Sequence, residues 1–355
     1  MRLADVWRGL FAFLGVFGAG AWVTMPSDDR RLLIRNRDSG FFSNFNQVIN
    51  NLYYRLGREG IVAASVDWRL EPELQEFPYG NREDGNLWLQ FFEPLPFDRL
   101  PDEQCETRVF ADETMTARLA YAMYKLNWRW RWGYHRVFHR FIRIKPHVLE
   151  RVDAIHRKHM AGRHCIGVHY RHPAHDRECI NPIPEPDVFI SRIRRMLPLA
   201  RPWSVFLATD FEPAVHDFRR AFGEHLVLQP GVRRSENLVD GHMHHDNRTP
   251  GLTLGEQVLV DCLLLAHCDL LIHVTSNVAT AAGYINPRMK MQYCETKLQA
   301  VLGYFWSAAV IGKLYFLNWY GRLPLGLRKF LRRYVIPVPV FNWVSKFGQS
   351  GHELR

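Results

Sequence analysis

The chain has 355 residues, of which 47% are hydrophobic and 23% are charged. This composition excludes an intrinsically disordered protein, and the length favours two domains of about 150 residues each. The formal net charge of +10 is concentrated in residues 125–145 and 298–350, and each stretch has seven Lys or Arg and no acidic residue. Clustered basic charge is typical of a surface that meets anionic phosphates.

Residues 1–27 form a hydrophobic N-terminal segment. Gly9 to Met25 is an uncharged run of 17 residues, at the lower limit for a helix that spans a membrane. It follows two arginines, and Ala19-Gly20-Ala21 is similar to a signal-peptide cleavage site. Three interpretations stay open: a membrane anchor, a cleaved signal peptide, and a segment docked on the protein.

Residues 28–146 are predicted to form a first Rossmann-like domain. Its predicted elements, in chain order, are a strand at 31–35, a helix at 47–56 and a strand at 61–68. A strand, a small-residue loop, a helix and a second strand open a βαβ unit, which predicts a parallel sheet. The loop before the helix carries Ser43, Asn44 and Asn46. Residues 77–100, rich in Pro, Gly, Asn and Asp, are predicted to be a loop.

Residues 147–297 are predicted to form a second doubly wound domain. Strands are expected at 165–170, 204–208, 226–228 and 270–274, and helices at 147–160, 187–196, 212–222, 254–266 and 279–284. Strands that alternate with helices at this spacing are typical of a parallel sheet with helices on both faces. The fold class is therefore α/β, with two domains that face a crevice.

Ligands of such sheets bind at the carboxyl ends of the strands, and three strands here end in polar residues. His169 and Arg171 follow one strand, Thr209-Asp210 another, and Thr275-Ser276-Asn277 a third. Arg171 offers a planar fork of donors for a pyrophosphate, and a Ser-Asn helix start offers free N–H groups and a helix dipole. The bland alternative is that Arg171 is structural and that Ser276-Asn277 only caps a helix.

Asp261 lies in the helix before the third of these strands. A carboxylate can accept both N–H groups on the edge of guanine, which makes Asp261 a candidate base-recognition residue. It is flanked by Val260 and Cys262, so it is equally compatible with a carboxylate on a helix face that pairs with Lys or Arg.

Residues 167–172, Gly-Val-His-Tyr-Arg-His, resemble the H-x-R motif of the α1,6- and protein O-fucosyltransferase superfamily, most of all its rhizobial nodulation members. Residues 256–272, continued by 275–277, resemble a second motif of that superfamily, and residues 207–210 resemble the one between them. Val66-Asp67-Trp68-Arg69 and Phe91-Phe92-Glu93-Pro94 are similar to the nodulation enzymes again. The likeness covers about residues 31–287.

The resemblance implies a GT-B fold, with residues 28–146 as the acceptor domain and 147–297 as the nucleotide-sugar-binding domain. It implies a glycosyltransferase that uses GDP-fucose as donor and inverts the anomeric centre, with no cofactor and no metal. The expected donor-binding residues are His169 and Asp261 at guanine, Arg171, Thr275, Ser276 and Asn277 at the pyrophosphate, and Asp210 as a positioning residue. Two alternatives remain: a transferase for another nucleotide sugar, and a non-catalytic GT-B-like module that binds a nucleotide or a nucleic acid.

The chain departs from the family pattern after Arg171. Where related enzymes continue with a second Arg and an acidic residue, this chain has His172-Pro173-Ala174. The general base is therefore open, and His175, Asp176 and Glu178 are the candidates, because the acceptor hydroxyl must lose a proton. Ser43, Asn44 and Asn46 are expected to contact acceptor or donor across the crevice, or only to cap the next helix.

Metal-binding and disulfide patterns are weak. The six cysteines include no CxxC pair, which predicts buried free thiols. Residues 241–246 contain three histidines, and a loop that covers the substrate is the favoured interpretation over a metal site.

Both basic stretches are interleaved with aromatic residues, which favours contact with an anionic membrane surface over nucleic acid. The alternative for the tail, residues 298–355, is packing across the first domain. The expected acceptor is a glycan or a lipid-linked glycan. The expected location is the cytoplasmic face of the inner membrane in a bacterium, or the Golgi or ER lumen as a type II membrane protein in a eukaryote.

The tail gives a testable prediction. Residues 298–350 hold twelve aromatic residues, and Arg328, Lys329, Arg332 and Arg333 share one side if the segment is helical. Replacing these four with Gln should weaken sedimentation with anionic vesicles and leave GDP binding intact, and high salt should weaken the parent in the same way. If the variant sediments as the parent does, the tail is a packing element.

Overall fold

A computed structural model describes residues 30–36, 39–54, 56, 61–70, 79–80, 82–97, 107–109, 128–178, 183–198, 200–237 and 249–294. The N-terminal segment 1–27, the tail 298–355, and the histidine loop 241–246 lie outside the described residues, so the predictions made for them stay predictions. Within the described ranges, no helix is both long enough and apolar enough to cross a membrane.

The first unit contains three parallel strands in the order β2–β1–β3. They are β1 (Arg30–Arg35), β2 (Ile61–Asp67) and β3 (Thr107–Val109), and α1 (Phe41–Tyr54) connects the first two. The side chains of Leu32, Ile34 and Ala64 are buried in the sheet core. The predicted parallel βαβ opening is therefore confirmed.

The second unit contains five parallel strands in the order β6–β5–β4–β7–β8. The strands are β4 (His164–Tyr170), β5 (Trp203–Thr209), β6 (Leu226–Val227), β7 (Leu270–His273) and β8 (Lys290–Tyr293). The chain builds outward from β4 through β5 to β6, and then returns to the other side of β4 with β7 and β8. This reversal is the topological switch point of a doubly wound sheet, which confirms the predicted fold class.

Eight α-helices are numbered in chain order within the described ranges. After α1 come α2 (Trp88–Phe91), α3 (Trp128–Phe141), α4 (Pro146–His159), α5 (Pro186–Arg194), α6 (Glu212–Phe222), α7 (Gly251–Ala266) and α8 (Asn277–Ile285). Gly167 in β4 allows the turn after α7 to approach closely, because a Cβ there would lie only 3.0 Å from the Cys268 Sγ.

Four cysteines within the described ranges are free and buried: Cys165, Cys262, Cys268 and Cys294. For these four the prediction of buried thiols is confirmed. Burial raises the pKa of the Cys262 and Cys268 thiols well above the ordinary value.

The two units are joined by α1, α3 and α8. A buried hydrogen-bond cluster centres on Asn46 of α1, whose Nδ2 donates to the Asn277 Oδ1 at 3.1 Å and whose Oδ1 accepts from the Tyr284 hydroxyl at 2.8 Å. Arg131 of α3 donates to three backbone carbonyls. That of Gly283 lies in the last turn of α8, and those of Asn286 and Met289 lie just after it. Helix α8 is thus held at both ends by the first unit.

One predicted loop is wrong, and a second is wrong in part. Helix α1 begins at Phe41 rather than at residue 47, so Ser43, Asn44 and Asn46 lie on a helix. The reason is that Phe41, with Phe42 and Phe45, packs into the core at helical spacing. Residues 77–100 likewise contain α2, where Trp88 is buried because its ring stacks on that of Phe92.

Part of the tryptophan-rich stretch 125–145 packs inside the protein, although the sequence predicted that it meets a membrane surface. Residues 128–141 form α3, and its Tyr134 and Phe138 are buried against α1 and α8. The Arg131 side chain makes its hydrogen bonds inside the protein, and burial lowers the pKa of Arg131. The exposed Arg136, Arg140 and Arg143 remain on the outer side.

Asn46 gives a prediction about stability. Asn46→Ala removes the partner of the Tyr284 hydroxyl, which is then buried without this hydrogen bond, and of the half-buried Asn277 amide oxygen. We expect the free energy of unfolding to fall by about 2 to 4 kcal/mol, measured by chemical denaturation. Asn51→Ala is the matched control on the same helix, because Asn51 donates only to the Gln47 carbonyl of its own helix. Equal losses in the two variants would contradict a bridge between the units.

Candidate functional site

The candidate site lies where β4 and β7 run side by side and their following connections leave in opposite directions. His169 of β4 is paired with His273 of β7, and Tyr170 is paired with Thr209 of β5. Arg171 and Asp210 follow β4 and β5 directly, and Thr275 lies two residues after the end of β7. The structure therefore brings together the polar residues that the sequence placed at separate strand ends.

Arg171 is aimed by the backbone that follows β7. Its guanidinium donates from Nη1 to the Thr275 carbonyl at 3.2 Å, and the Thr275 hydroxyl is 3.0 Å from the Tyr293 hydroxyl. The Arg171 side chain is therefore held across the switch point, next to the first residues of α8. A guanidinium there can bind a pyrophosphate and stabilise its charge as it leaves.

Helix α8 begins directly after Ser276, which caps it. The Ser276 Oγ accepts a hydrogen bond from the Val278 N–H at 3.1 Å, so the capping role is confirmed. The Asn277 Oδ1 is occupied by Asn46, so Asn277 also ties the helix start to the first unit. The positive end of the helix dipole then faces the site, where it favours an anionic group.

Asp210 holds the turn that follows Arg171. Its Oδ1 accepts from the His172 backbone N–H at 3.1 Å, and its carbonyl accepts from the Ser235 N–H at 2.8 Å. The fully buried His172 ring accepts from the Ala174 N–H through Nδ1 and lies 3.2 Å from the Asn237 carbonyl through Nε2. His172, the first residue at which the sequence departs from the family pattern, thus stabilises this turn.

His169 has a buried nitrogen without a partner. Its Nδ1 makes no hydrogen bond to any described residue. Burial, and then the nearby charge of Arg171, lowers the pKa of His169 to about 3, so the ring is neutral at physiological pH. A neutral imidazole with an unused ring nitrogen is suited to a hydrogen bond with a bound ligand.

Asp261 lies on α7 and is largely withdrawn from water. Burial raises the pKa of its carboxyl to about 7, against the opposing charges of Arg234 and Arg151. With the Gln229 amide turned to suit its neighbours, its nitrogen donates to the Asp261 Oδ1 at 2.6 Å and its oxygen accepts from Arg151 at 3.2 Å. Asp261 does not form a salt bridge with a described Lys or Arg; Arg151 and Arg234 pair with Glu256 and Glu212 instead. The described contacts therefore do not support the alternative of an ion pair on a helix face.

The candidate bases follow Arg171 on a 3-10 helix, Pro173–Glu178. His175 is buried, and its charge acts on the pKa of His169, so it lies at the edge of the site. Asp176 and Glu178 share that short helix, but their side chains lie outside the described part of the structure. The choice of base stays a prediction.

The three residues expected in a crevice loop have different surroundings on α1. Ser43 is half-buried in the first turn, and the Asn44 Nδ2 donates to the Ser39 carbonyl at 3.0 Å. Asn46 is fully buried and binds α8, which places it in the interface between the units rather than on a crevice surface. Its polar atoms contact Asn277 and Tyr284.

Two further residues at the site were not found from the sequence. Tyr79 of the first unit is buried, and the charges of Asp210 and Arg171 both act on its pKa, which burial raises. Gln229, just after β6, contacts Asp261. Neither residue is part of a motif, and only the fold brings them to the site. Within the described ranges, no group of three potential ligands could hold a metal ion.

A comparison with protein families matches residues 109–292 to the family model "Nodulation protein Z (NodZ)". This range is just over half of the chain and contains His169, Arg171, Asp210, Asp261 and Ser276. A curated relative, Nodulation protein Z of Sinorhizobium fredii (strain NBRC 101917 / NGR234), is 27% identical over 143 residues, 37% of this chain. The match spans 42% of that relative's length.

Solved structures of low identity resemble the chain over most of their length. A NodZ alpha-1,6-fucosyltransferase soaked with GDP-fucose has a TM-score of 0.48 and 20% identity, over 72% of this chain and 92% of that one. Fucosyltransferase NodZ from Bradyrhizobium has a TM-score of 0.47 and 22% identity, over 72% of this chain and 93% of that one.

Asp261 gives a prediction about pH. Because its pKa is raised in the folded state, the ligand-free protein gains stability when the carboxyl is protonated and loses it as the pH rises toward and past about 7. Between pH 4 and pH 8, the free energy of unfolding of the parent should fall relative to that of Asp261→Asn by about 2 to 4 kcal/mol. Denaturation curves of both proteins across this range measure the difference. Parallel pH profiles would mean that Asp261 is not desolvated.

Proposed function

The chain belongs to the Nodulation protein Z family, and on that premise we propose that it transfers L-fucose from GDP-fucose to a hydroxyl of a glycan or lipid-linked glycan, with inversion. One observation carries the proposal: Arg171 is held by the Thr275 carbonyl beside the start of α8, at the switch point of the sheet. This arrangement suits a pyrophosphate, and its residues lie within the range 109–292 that matches the family model.

Guanine is the base that the site suits best. The N1–H and N2–H groups of guanine are two donors side by side, and the Asp261 carboxylate can accept both. Adenine presents an acceptor at the corresponding position, which a carboxylate repels. The unused Nδ1 of His169 provides a second hydrogen-bonding group for the nucleotide.

In the proposed transfer, the acceptor oxygen attacks the anomeric carbon of fucose, the bond from that carbon to the β-phosphate oxygen breaks, and GDP leaves. Arg171 and the N-terminus of α8 stabilise the charge that develops on the leaving diphosphate. The acceptor proton passes to a base, for which His175, Asp176 and Glu178 are the candidates. In this proposal, Arg171 and the N-terminus of α8 supply the charge stabilisation, and no metal is needed.

We extend the proposal to the setting of the enzyme. The basic aromatic tail is proposed to hold the protein at an anionic membrane surface, near a lipid-linked acceptor. In a bacterium this surface is the cytoplasmic face of the inner membrane, where GDP-sugars are available. In a eukaryote, residues 1–27 would instead anchor a lumenal Golgi or ER protein.

Donor selectivity tests the base assignment. GDP should raise the melting temperature of the purified protein, whereas ADP and UDP at the same concentration should not, because only guanine matches Asp261. Thermal unfolding with each nucleotide measures this. An equal shift with UDP would instead favour a transferase for another nucleotide sugar.

Arg171→Lys tests catalysis. Lysine keeps the charge but not the planar fork, so we expect hydrolysis of GDP-fucose to slow by about a hundredfold or more while the melting temperature is retained. Arg195→Lys, an exposed change outside the site, is the matched control and should keep full activity. Near-normal turnover of Arg171→Lys would show that Arg171 is structural, and no turnover in the parent with intact GDP binding would favour a non-catalytic module.

A further inference from the structure

The edge of the second sheet opposite the candidate site carries an unusual concentration of positive charge. In a parallel α/β unit, helices end and strands begin at the same edge. At this edge, the last turns of α4, α5, α6 and α8, the connections that follow and the first residue of β8 contain eleven Lys or Arg and one acidic residue. The turn after α7 adds only Asp269.

Ten of these eleven side chains are exposed. We call them the basic edge: Arg157, Lys158, Arg163, Arg194, Arg195, Arg201, Arg219, Arg220, Arg288 and Lys290. The eleventh, Arg192, turns inward and donates to the Tyr293 carbonyl at 2.6 Å. Of the ten, Arg220 alone forms a salt bridge with a described carboxylate, that of Asp217. The basic edge is therefore largely uncompensated within the described structure.

Helix dipoles explain only part of this pattern. A cation in the last turn of a helix is stabilised by the negative end of the dipole, but the effect falls off beyond that turn. Here α4, α5 and α6 each end with two adjacent cations, and four more lie outside any last turn. Arg163, Arg201 and Arg288 lie in connections, and Lys290 begins β8. Like charges in such numbers repel one another, so folding alone does not favour them.

We propose that the basic edge is a second docking surface, by which the protein lies on an anionic lipid bilayer. The charges come from the ends of four helices and are spread over one edge rather than gathered in a groove, which matches headgroups that have no fixed register. No large hydrophobic side chain that is exposed in the described structure lies at this edge, so attachment is electrostatic and without insertion. This inference goes beyond the proposed function and does not depend on the donor.

Nucleic acid fits this surface less well. Single strands are gripped by aromatic side chains on which bases stack. Trp203, which begins β5 at this edge, is already stacked on His225 with ring centroids 3.9 Å apart. One face of Trp203 is therefore already covered, which makes this edge a poor stacking platform for bases.

Docking by the basic edge also fixes the position of the reaction. The seven residues of β4 separate the basic edge from Arg171, a distance of about 20 Å at ordinary strand rise. The crevice then opens away from the bilayer. The acceptor hydroxyl that fits this orientation lies several sugar units out from a lipid anchor.

The test uses the full chain and vesicles of phosphatidylglycerol with phosphatidylcholine. The edge variant Arg163→Gln/Arg195→Gln/Arg201→Gln removes three charges from the basic edge. The matched control Arg136→Gln/Arg140→Gln/Arg143→Gln removes three exposed charges from α3, outside the edge. The sequence also predicted a membrane contact for this stretch, but its Tyr134 and Phe138 are buried in the protein, so the control compares the two surfaces directly. At low salt, each charge near an anionic surface changes affinity about fivefold, so we expect the edge variant to bind about a hundredfold more weakly than the parent.

The control should lose much less affinity, and pure phosphatidylcholine vesicles should bind none of the three proteins well. Thermal stabilisation by GDP should be the same in all of them, which separates this test from that of the proposed function. If the edge variant binds anionic vesicles as the parent does, or if the control loses as much, the proposal is overturned. Loss of binding to a single-stranded oligonucleotide together with unchanged vesicle binding would identify nucleic acid as the partner instead.

Discussion

The pairing of β4 with β7 is the constraint on which the rest of the site depends. The chain leaves these neighbouring strands in opposite directions, and the gap between the two connections is the place where sheets of this kind bind their ligands. Arg171 spans this gap to the Thr275 carbonyl, and α8 starts on its far side. A slip of one residue in this pairing would turn the side chains of the strand that slips to the other face and separate His169 from His273.

The start of α8 serves two parts of the molecule. Ser276 caps the helix for the site, while Asn277 and Tyr284 bind Asn46 of the first unit. The proposed pyrophosphate-binding end of the helix is therefore positioned from outside its own sheet. Gly255 of α7 lets the first unit approach at a second place, because a Cβ there would lie 2.6 Å from the Phe91 ring of α2. Changes in the first unit should consequently be felt at the donor site.

Much of the second unit could be predicted from the sequence, since its buried strands are short apolar runs and its helices follow at regular spacing. The strand ends then identified Arg171, Asp210 and Ser276 as neighbours. The start of α1 could not be predicted in this way, because Ser43 and Asn44 suggested a loop, and only the packing of the adjacent Phe residues shows the helix. Asn46 and Asn277 are 231 residues apart, and no local pattern reports such a contact.

The central claim is that the Asp261 carboxylate reads the edge of guanine. The most direct measurement compares GDP with inosine diphosphate, which lacks only the exocyclic amine, in calorimetric titrations of the parent and of Asp261→Asn. Losing one hydrogen bond to a charged group should weaken binding of inosine diphosphate to the parent by about tenfold or more. In Asp261→Asn the two affinities should come close together. Equal affinities of the parent for both nucleotides would contradict the account.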